Sequence, residues 1–243
     1  MPNLNIDIKF IQDLKPQGIA SSLYKIKRYI KGPILVFLGD IFLREVRLQK
    51  MIKKFNNLNC SCVLAAIKEK NTNKLKKNFT IQLGKNSLVE KVVEKPKKPK
   101  THIKGVGIYL FSQNIFNAIS KTSINLNHNG ELGITEVIQN LIDTGNKVLT
   151  SLCVKEDVNI NEPLDFWDTN FRLLKKKKRK NFISKNVLIG KNVSLINSII
   201  GPNVKIGSNS TIKNSIIFSD VELKEKTYLI QSIKTNEGLI KFK

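Results

Sequence analysis

One carboxylate stands where a binding site can form. The apolar run PILVFLGD ends at Gly39 and Asp40. A continuous apolar run predicts a strand buried on both faces of a parallel sheet, and ligands bind just beyond the carboxyl ends of such strands. Asp40 is therefore a candidate metal-binding carboxylate. The alternative is ordinary turn chemistry, because Gly-Asp is also common where a strand ends in a turn.

The cysteines and histidines favour structural roles. Cys60, Cys62 and Cys153 are an odd number without a metal-site or disulfide spacing, which predicts buried thiols in a reducing compartment. His102 and His128 both precede the repeats at the end of the chain, described below. Many acyltransferases place a histidine base within such repeats, so these positions argue against an acyltransferase.

Composition predicts a cytoplasmic protein with a substantial core. The 243 residues are 41% hydrophobic, yet no apolar run approaches the roughly 18–20 residues that span a bilayer. The net charge of +23 suits phosphorylated small molecules. Without an aromatic-studded basic motif, we expect neither a specific nucleic-acid partner nor a membrane partner. The run KKKKRK resembles a nucleic-acid patch, but its position favours a solvated linker over residues 175–181.

Apolar periodicity predicts an α/β domain over residues 1–174. It indicates strands at residues 4–10, 34–40, 60–67 and 147–154, with three more between 79 and 111. It indicates helices at 18–31, 45–57, 112–121, 134–144 and 163–174, the fourth of which ends at Gly145. Alternating strands and helices are typical of a doubly wound, Rossmann-like sheet.

The last quarter of the chain repeats with a period of about six residues. Two rows of apolar residues recur, with Gly or Asn between them. In a chain that winds into a coil, such Gly and Asn residues can turn the corners. This pattern predicts a short left-handed parallel β-helix over residues 182–233, with two or three coils packed on the α/β domain or on another subunit. The first row is Ile183, Ile189, Leu195, Ile200, Ile206, Ile212 and Phe218, and the second is Val187, Val193, Ile199, Val204 and Ile216.

Ordered stretches of the chain resemble the sugar-1-phosphate nucleotidyltransferases, above all the long-form glucose-1-phosphate thymidylyltransferases. Each stretch is weak alone, but together they follow the family's order over nearly the whole chain. They are QDLKPQGIA (12–20), ILVFLGD (34–40), VEKP (93–96), GVGIYLF (105–111), GELGITEVIQNLIDTG (130–145) and PLDFWDTN (163–170).

The resemblance implies formation of an NDP-sugar of the dTDP- or UDP-glucose type. A sugar-1-phosphate would attack a nucleoside triphosphate and release pyrophosphate, with Mg²⁺ neutralising the phosphates. It further implies a role for each matched residue. Lys95 would bind the sugar phosphate, Glu94 and Glu131 would accept sugar hydroxyls, and Gly107 would leave space beside the sugar. Gln12 and Gly18 would contact the pyrimidine, and Asp40 and Asn159 would bind the metal. Asp157 would replace Asn159 only if the register slips.

One segment of the family pattern is missing. The family opens with a strand and a phosphate-binding loop, Gly-x-Gly-Thr-Arg, which these 243 residues do not contain. We therefore expect an N-terminally incomplete nucleotidyltransferase domain that is inactive as an isolated chain. A fragment, half of a split enzyme and a degenerate relative are all compatible with this pattern. The expected protein partner is either another copy of this chain, in a homo-oligomer, or a complementing N-terminal chain. The alternative function is that of a non-catalytic subunit, which either binds sugar nucleotides or regulates an enzyme.

Overall fold

A computed structural model of the chain describes residues 6–122 and 131–242. His128, and Gly130 at the start of the family motif at 130–145, lie outside these residues. The chain divides into two compact units, Met1–Asp157 and Val158–Lys243, so the last helix groups with the repeats. The boundary expected at residue 174 stays a prediction. Within the described residues, every helix is too short or too polar to cross a bilayer.

The first unit is built on one mixed sheet with the strand order β5-β4-β6-β3-β7, and β1 also pairs with β6. Strands β3 and β7 are parallel, whereas β1, β3 and β4 run antiparallel to β6. The strands of this unit are β1 (Ile34–Phe37), β2 (Ile41–Arg44), β3 (Cys62–Lys68), β4 (Thr80–Leu83), β5 (Val89–Val93), β6 (Ile103–Phe111) and β7 (Val148–Leu152), while β8 (Glu156–Asn159) spans the division between the units.

Helices cover both faces of this sheet, as expected for an α/β domain. One core joins α1, α4 and α5 to the face that carries Tyr109 and Phe111. A second core joins Met51 of α2 to the face that carries Ile108 and Leu110. The helices of this unit are α1 (Ile19–Lys25), α2 (Leu48–Leu58), α3 (Thr72–Lys76), α4 (Asn114–Lys121) and α5 (Ile134–Asp143). After α5, Gly145 adopts φ +78°, as the predicted helix end requires.

Two predictions at the start of the chain are wrong. The described part of the predicted strand at 4–10 does not form a strand: residues 6–18 contain neither helix nor strand, and Phe10 is 94% exposed. Alternation alone cannot make a strand, because a strand needs a hydrogen-bonded neighbour. The run ILVF forms β1 as expected, but β1 is antiparallel to β6 and only partly buried. On the side away from β6, β1 pairs with no strand among the described residues.

The second unit begins with α6 (Pro163–Lys176) and continues as the predicted β-helix of about three coils. Three sheets form its sides, and strands of successive coils pair in parallel with partners 17 residues apart, as in Leu188–Lys205–Glu222. In one sheet the last strand, Leu239–Lys241, pairs antiparallel with Ser232–Lys234. The strands are β9 (Phe182–Ile183), β10 (Leu188–Ile189), β11 (Ser194–Ile196), β12 (Ile199–Ile200), β13 (Lys205–Ile206), β14 (Thr211–Lys213), β15 (Ile216–Ile217), β16 (Glu222–Leu223), β17 (Tyr228–Ile230), β18 (Ser232–Lys234) and β19 (Leu239–Lys241).

Asparagine turns the corners of the coil. Six asparagines in three corner rows adopt φ between 44° and 59°, the left-handed region that Asn tolerates better than most residues. Their side chains form ladders: Asn186 Nδ2 donates to Asn203 Oδ1 at 3.1 Å, and Asn203 Nδ2 donates to Asp220 Oδ1 at 2.9 Å. The glycines act differently from expectation. A Cβ on Gly207 would lie 2.4 Å from the backbone nitrogen of Glu225 in the next coil, so glycine permits close stacking there.

The 17-residue coil also corrects one position of the inward row. Ile200, Ile206 and Ile212 are buried as predicted, but the row continues at Ile217, and Phe218 is 39% exposed. The predicted spacing of six after Ile212 is wrong, because the five-residue side of the coil recurs there. Phe218 instead lies against Phe166 of α6, with ring centroids 5.6 Å apart.

The basic run after α6 is only partly a linker. Lys175 and Lys176 are the last residues of α6, so the predicted linker at 175–181 begins inside the helix. Lys178 follows in a left-handed conformation, and β9 starts at Phe182.

Candidate functional site

Three of the predicted site residues line one cavity in the first unit. Gln12, Gly18 and Glu131 surround a space of about 650 Å³, together with residues 34–38 along β1 and just after it. The volume lies within the range typical of small-molecule sites. Residues separated by more than a hundred positions in the sequence therefore meet beside β1.

Backbone hydrogen bonds hold Gly18 beside Glu131. Leu132 N donates to Gln17 O at 2.7 Å, and Ala20 N donates to Leu132 O at 3.3 Å. Gly18 has φ +97°, and a Cβ there would lie 2.4 Å from the carbonyl oxygen of Leu132. Only glycine fits this crossing without strain. The Gly18 segment and the Glu131 segment thus form one wall of the cavity.

Glu94, directly after β5, is held by a hydrogen bond from a residue of α5. Thr135, at the start of α5, donates from its hydroxyl to Glu94 Oε2 at 2.8 Å. Burial raises the pKa of Tyr109 above its usual range, and the negative charges of Glu94 and Asp40 raise it further. Both predicted carboxylates therefore lie near this phenol. The sequence analysis quoted Thr135 within a family motif but gave it no role. Its contact with Glu94 depends on folding across 41 positions.

Gly107 connects the Asp40 turn to β6. Leu38 N donates to Gly107 O at 3.0 Å, and Asp40 follows two residues later on an exposed turn. Gly107 has φ +64°, and a Cβ there would lie 2.4 Å from Ile41 Cδ1 and 3.0 Å from Leu38 Cδ1. The backbone of β6 and the packing of this turn therefore require glycine, whatever space a sugar needs.

Lys95 lies in a strained turn directly after Glu94. Its φ is +39°, an uncommon value for a residue with a side chain, and it is solvent-exposed. Left-handed residues outside glycine concentrate at functional sites, which is consistent with a role but does not assign one. Gln12 is likewise exposed, on the irregular segment before α1.

The two remaining metal candidates differ in their surroundings. Asp157 is buried in an ion pair, with Lys104 Nζ 2.6 Å from its Oδ2, so its carboxylate is engaged by the protein itself. Asn159 is half-buried on β8 in the second unit, and its role as a metal ligand stays a prediction. No group of three or more His, Cys, Asp or Glu residues suited to a metal ion occurs within 6–122 and 131–242.

The three cysteines are buried and free of disulfides, as predicted. Burial raises the pKa of Cys62 well above its ordinary value and raises those of Cys60 and Cys153 as well. Thiols held in the protonated form are poor nucleophiles and poor metal ligands.

Comparison with known proteins finds relatives at low identity, three of which follow. The bifunctional protein GlmU of Methanococcus aeolicus is 28% identical over 190 residues, 76% of this chain and 43% of that protein. The low-salt glycan biosynthesis nucleotidyltransferase Agl11 of Haloferax volcanii is 24% identical over 79% of this chain and 53% of that protein. Glucose-1-phosphate thymidylyltransferase of Streptomyces griseus is 26% identical over 66% of this chain and 44% of that protein.

The chain spans about half the length of these relatives. The family described as nucleotidyl transferase matches residues 1–173, which confirms the resemblance found in the sequence motifs. Because this match covers well over half of the 243 residues, the chain belongs to the nucleotidyl transferase family.

Proposed function

We propose that this chain supplies the sugar-phosphate side of a site that makes an NDP-sugar from a nucleoside triphosphate and a sugar-1-phosphate. A phosphate oxygen of the sugar-1-phosphate attacks the α-phosphorus of the triphosphate. The new P–O bond forms as the bond to pyrophosphate breaks, and pyrophosphate leaves. Positioning and charge neutralisation dominate such a reaction, because little covalent chemistry is left to the protein.

The observation that carries this proposal is the shared cavity of Gln12, Gly18 and Glu131 beside β1. A family relationship alone does not assign a site. These three residues come from two separate family motifs, and they line one space of suitable size. In the proposed roles, Gln12 and the backbone of Gly18 contact the pyrimidine edge, and Glu131 accepts from a sugar hydroxyl.

Glu94 and Lys95 serve the sugar phosphate in this scheme. The hydrogen bond from Thr135 at 2.8 Å fixes one oxygen of Glu94. An ionised carboxylate has about four acceptor positions, so Glu94 keeps the capacity to accept from sugar hydroxyls. The neighbouring Lys95 brings a positive charge that binds the phosphate as a point charge. Gly107 keeps the backbone of β6 close to the Asp40 turn.

Asp40 is the residue of the first unit that would hold Mg²⁺. Magnesium in nucleotide sites is commonly held by one or two carboxylates together with phosphates and water, so a single exposed carboxylate at a strand end fits this ion. When bound, the ion neutralises charge on the phosphates. The role of Asn159 as a second ligand stays a prediction from the family resemblance.

The proposed partner is a complementing N-terminal chain that carries the phosphate-binding loop. The open edge of β1 and the exposed apolar side chains of residues 6–14 support this proposal. Such an edge can accept a strand by backbone hydrogen bonding, which would also cover the apolar residues. A homo-oligomer is the other proposed partner, and sedimentation of the purified chain would test it.

Binding of glucose-1-phosphate, measured by calorimetry on the full chain, tests the proposed site. We expect Lys95→Ala to weaken binding about tenfold or more, because a charge-assisted contact is lost. Lys98→Ala removes an exposed lysine from the same lysine-rich loop and should leave the affinity unchanged. If Lys95→Ala and Lys98→Ala bound glucose-1-phosphate with equal affinity, Lys95 would not belong to the binding site.

Pyrophosphate release tests the reaction itself. With glucose-1-phosphate, UTP or dTTP, and Mg²⁺, we expect no turnover by this chain alone. Turnover should begin when an N-terminal segment that carries the Gly-x-Gly-Thr-Arg loop is added. Rapid turnover by the chain alone would refute the role assigned to the loop.

The second candidate function is a non-catalytic subunit that binds sugar nucleotides or regulates an enzyme. UDP-glucose binding in the cavity without turnover under any complementation would select this function.

A further inference from the structure

A second cavity lies entirely within the second unit, between the end of α6 and the first coil. Its volume is about 620 Å³. Phe171, Leu195 and Ile196 provide an apolar surface, and Lys175, Arg179 and Lys180 provide positive charge. We call this cavity the basic groove. Its combination of an apolar surface and cations is unlike a plain solvated helix face.

The charge of the groove exceeds what the fold requires. Seven of the nine residues from 172 to 180 are Lys or Arg. Cations in the last turn of a helix offset the negative end of its dipole, which accounts for Lys175. Arg179 and Lys180 lie beyond that helix and have no such role. Within the described residues, none of these three cations forms an ion pair with a carboxylate.

We propose that the basic groove binds a nucleoside phosphate. The phosphates would contact Arg179, Lys175 and Lys180, since arginine and lysine are the usual phosphate-binding side chains. The base would lie on the apolar surface formed by Phe171, Leu195 and Ile196. Asp168, which also lines the groove, would accept hydrogen bonds from ribose hydroxyls. This proposal is independent of the site in the first unit and assigns a second ligand position to the chain.

The only tryptophan of the chain is placed to report on the groove. The ring of Trp167 lies 4.4 Å from that of Phe171, centroid to centroid, and its Nε1 donates to Asn214 O at 3.0 Å. A ligand that contacts Phe171 should therefore change Trp167 fluorescence. The experiment titrates the full chain with UTP at physiological salt, and compares inorganic tripolyphosphate as a probe without a base.

We expect a saturable fluorescence change with UTP. The double variant Lys175→Gln, Arg179→Gln should weaken it about tenfold or more, because two charged contacts are lost. The matched control is Lys191→Gln, Lys224→Gln, which removes two exposed lysines of the coil outside the groove and should bind as the wild type does. Circular dichroism verifies that both variants fold.

Three results would overturn the proposal. They are no saturable change at millimolar UTP, equal UTP affinity in the groove variant and the matched control, and equal affinity for UTP and tripolyphosphate. The last result would mean that no base is recognised, because stacking of a base on an aromatic ring strengthens binding about tenfold. Glu131→Gln, in the cavity of the first unit, should retain the fluorescence response. Loss of ligand binding in the first unit and loss of groove binding are therefore separate outcomes.

Discussion

The buried ion pair of the first unit allows a sharp test of what holds this fold together. Lys104 on β6 and Asp157 at the start of β8 are 2.6 Å apart, and each side chain is only 3% exposed. Removing one partner of such a pair leaves a charge without compensation in a medium that solvates it poorly. We therefore examine Lys104→Met, which keeps the length and apolar stem of the side chain but removes its charge.

The expected loss is about 3–5 kcal/mol in the free energy of unfolding, the usual cost of breaking a buried pair. Domains of this size have only about 5–15 kcal/mol in total, so the loss is a large share. The double variant Lys104→Met, Asp157→Leu should recover most of the stability, because apolar residues often replace a buried pair at little cost. The control Lys155→Met breaks an exposed ion pair with Glu45, in which the side chain of Lys155 is 62% exposed and that of Glu45 is 45% exposed. It should lower the free energy of unfolding by only about 0–1 kcal/mol.

The assay can follow the first unit alone, because all three cysteines lie in it. Pulse alkylation along a urea gradient labels these buried thiols only when the unit unfolds. The midpoint should fall strongly for Lys104→Met, little for Lys155→Met, and return for the double variant. A midpoint for Lys104→Met no lower than that for Lys155→Met would refute this account of the pair.

Three further predictions follow from individual contacts. Thr135→Val should weaken glucose-1-phosphate binding about threefold to tenfold by freeing Glu94, whereas Thr144→Val, whose hydroxyl donates within its own helix end, should not change calorimetric affinity. Asn209→Ala should destabilise the coil by about 1–2 kcal/mol in thermal unfolding, and Asn209→Gly should cost less, because φ is +59° there. The raised thiol pKa values favour the protonated form in the folded state, so stability is fully present below the ordinary thiol pKa. The alkylation midpoint should therefore fall as pH rises above about 8.5, and a constant midpoint would contradict this.

Local sequence patterns predicted the elements that local interactions determine. The helical spacing around Ile138 and the apolar run at Val63 each formed the expected element, α5 and β3. The six-residue period of apolar residues predicted the β-helix, because the inward-facing and corner positions depend on residue types within each short repeat. Resemblance of motifs also predicted the family, which the comparison confirmed.

The features that sequence did not predict depend on distant partners. The segment around Phe10 alternates like a strand, but it has no neighbouring strand among the described residues. The antiparallel direction of β1 follows from its pairing with β6, whose paired residues lie 71 to 77 positions later in the sequence, and no local pattern encodes that pairing. The same holds for the contact between Thr135 and Glu94 and for the pair of Lys104 with Asp157. Each joins segments that meet only in the folded unit.

Crystallography of the chain with UDP-glucose would test the central claim most directly. The account predicts density for the sugar nucleotide in the cavity lined by Gln12, Gly18 and Glu131, with a sugar hydroxyl at Glu94 and a phosphate near Lys95. At saturating ligand, an empty cavity would contradict the proposed site. Density for UDP-glucose confined to the basic groove would contradict it equally.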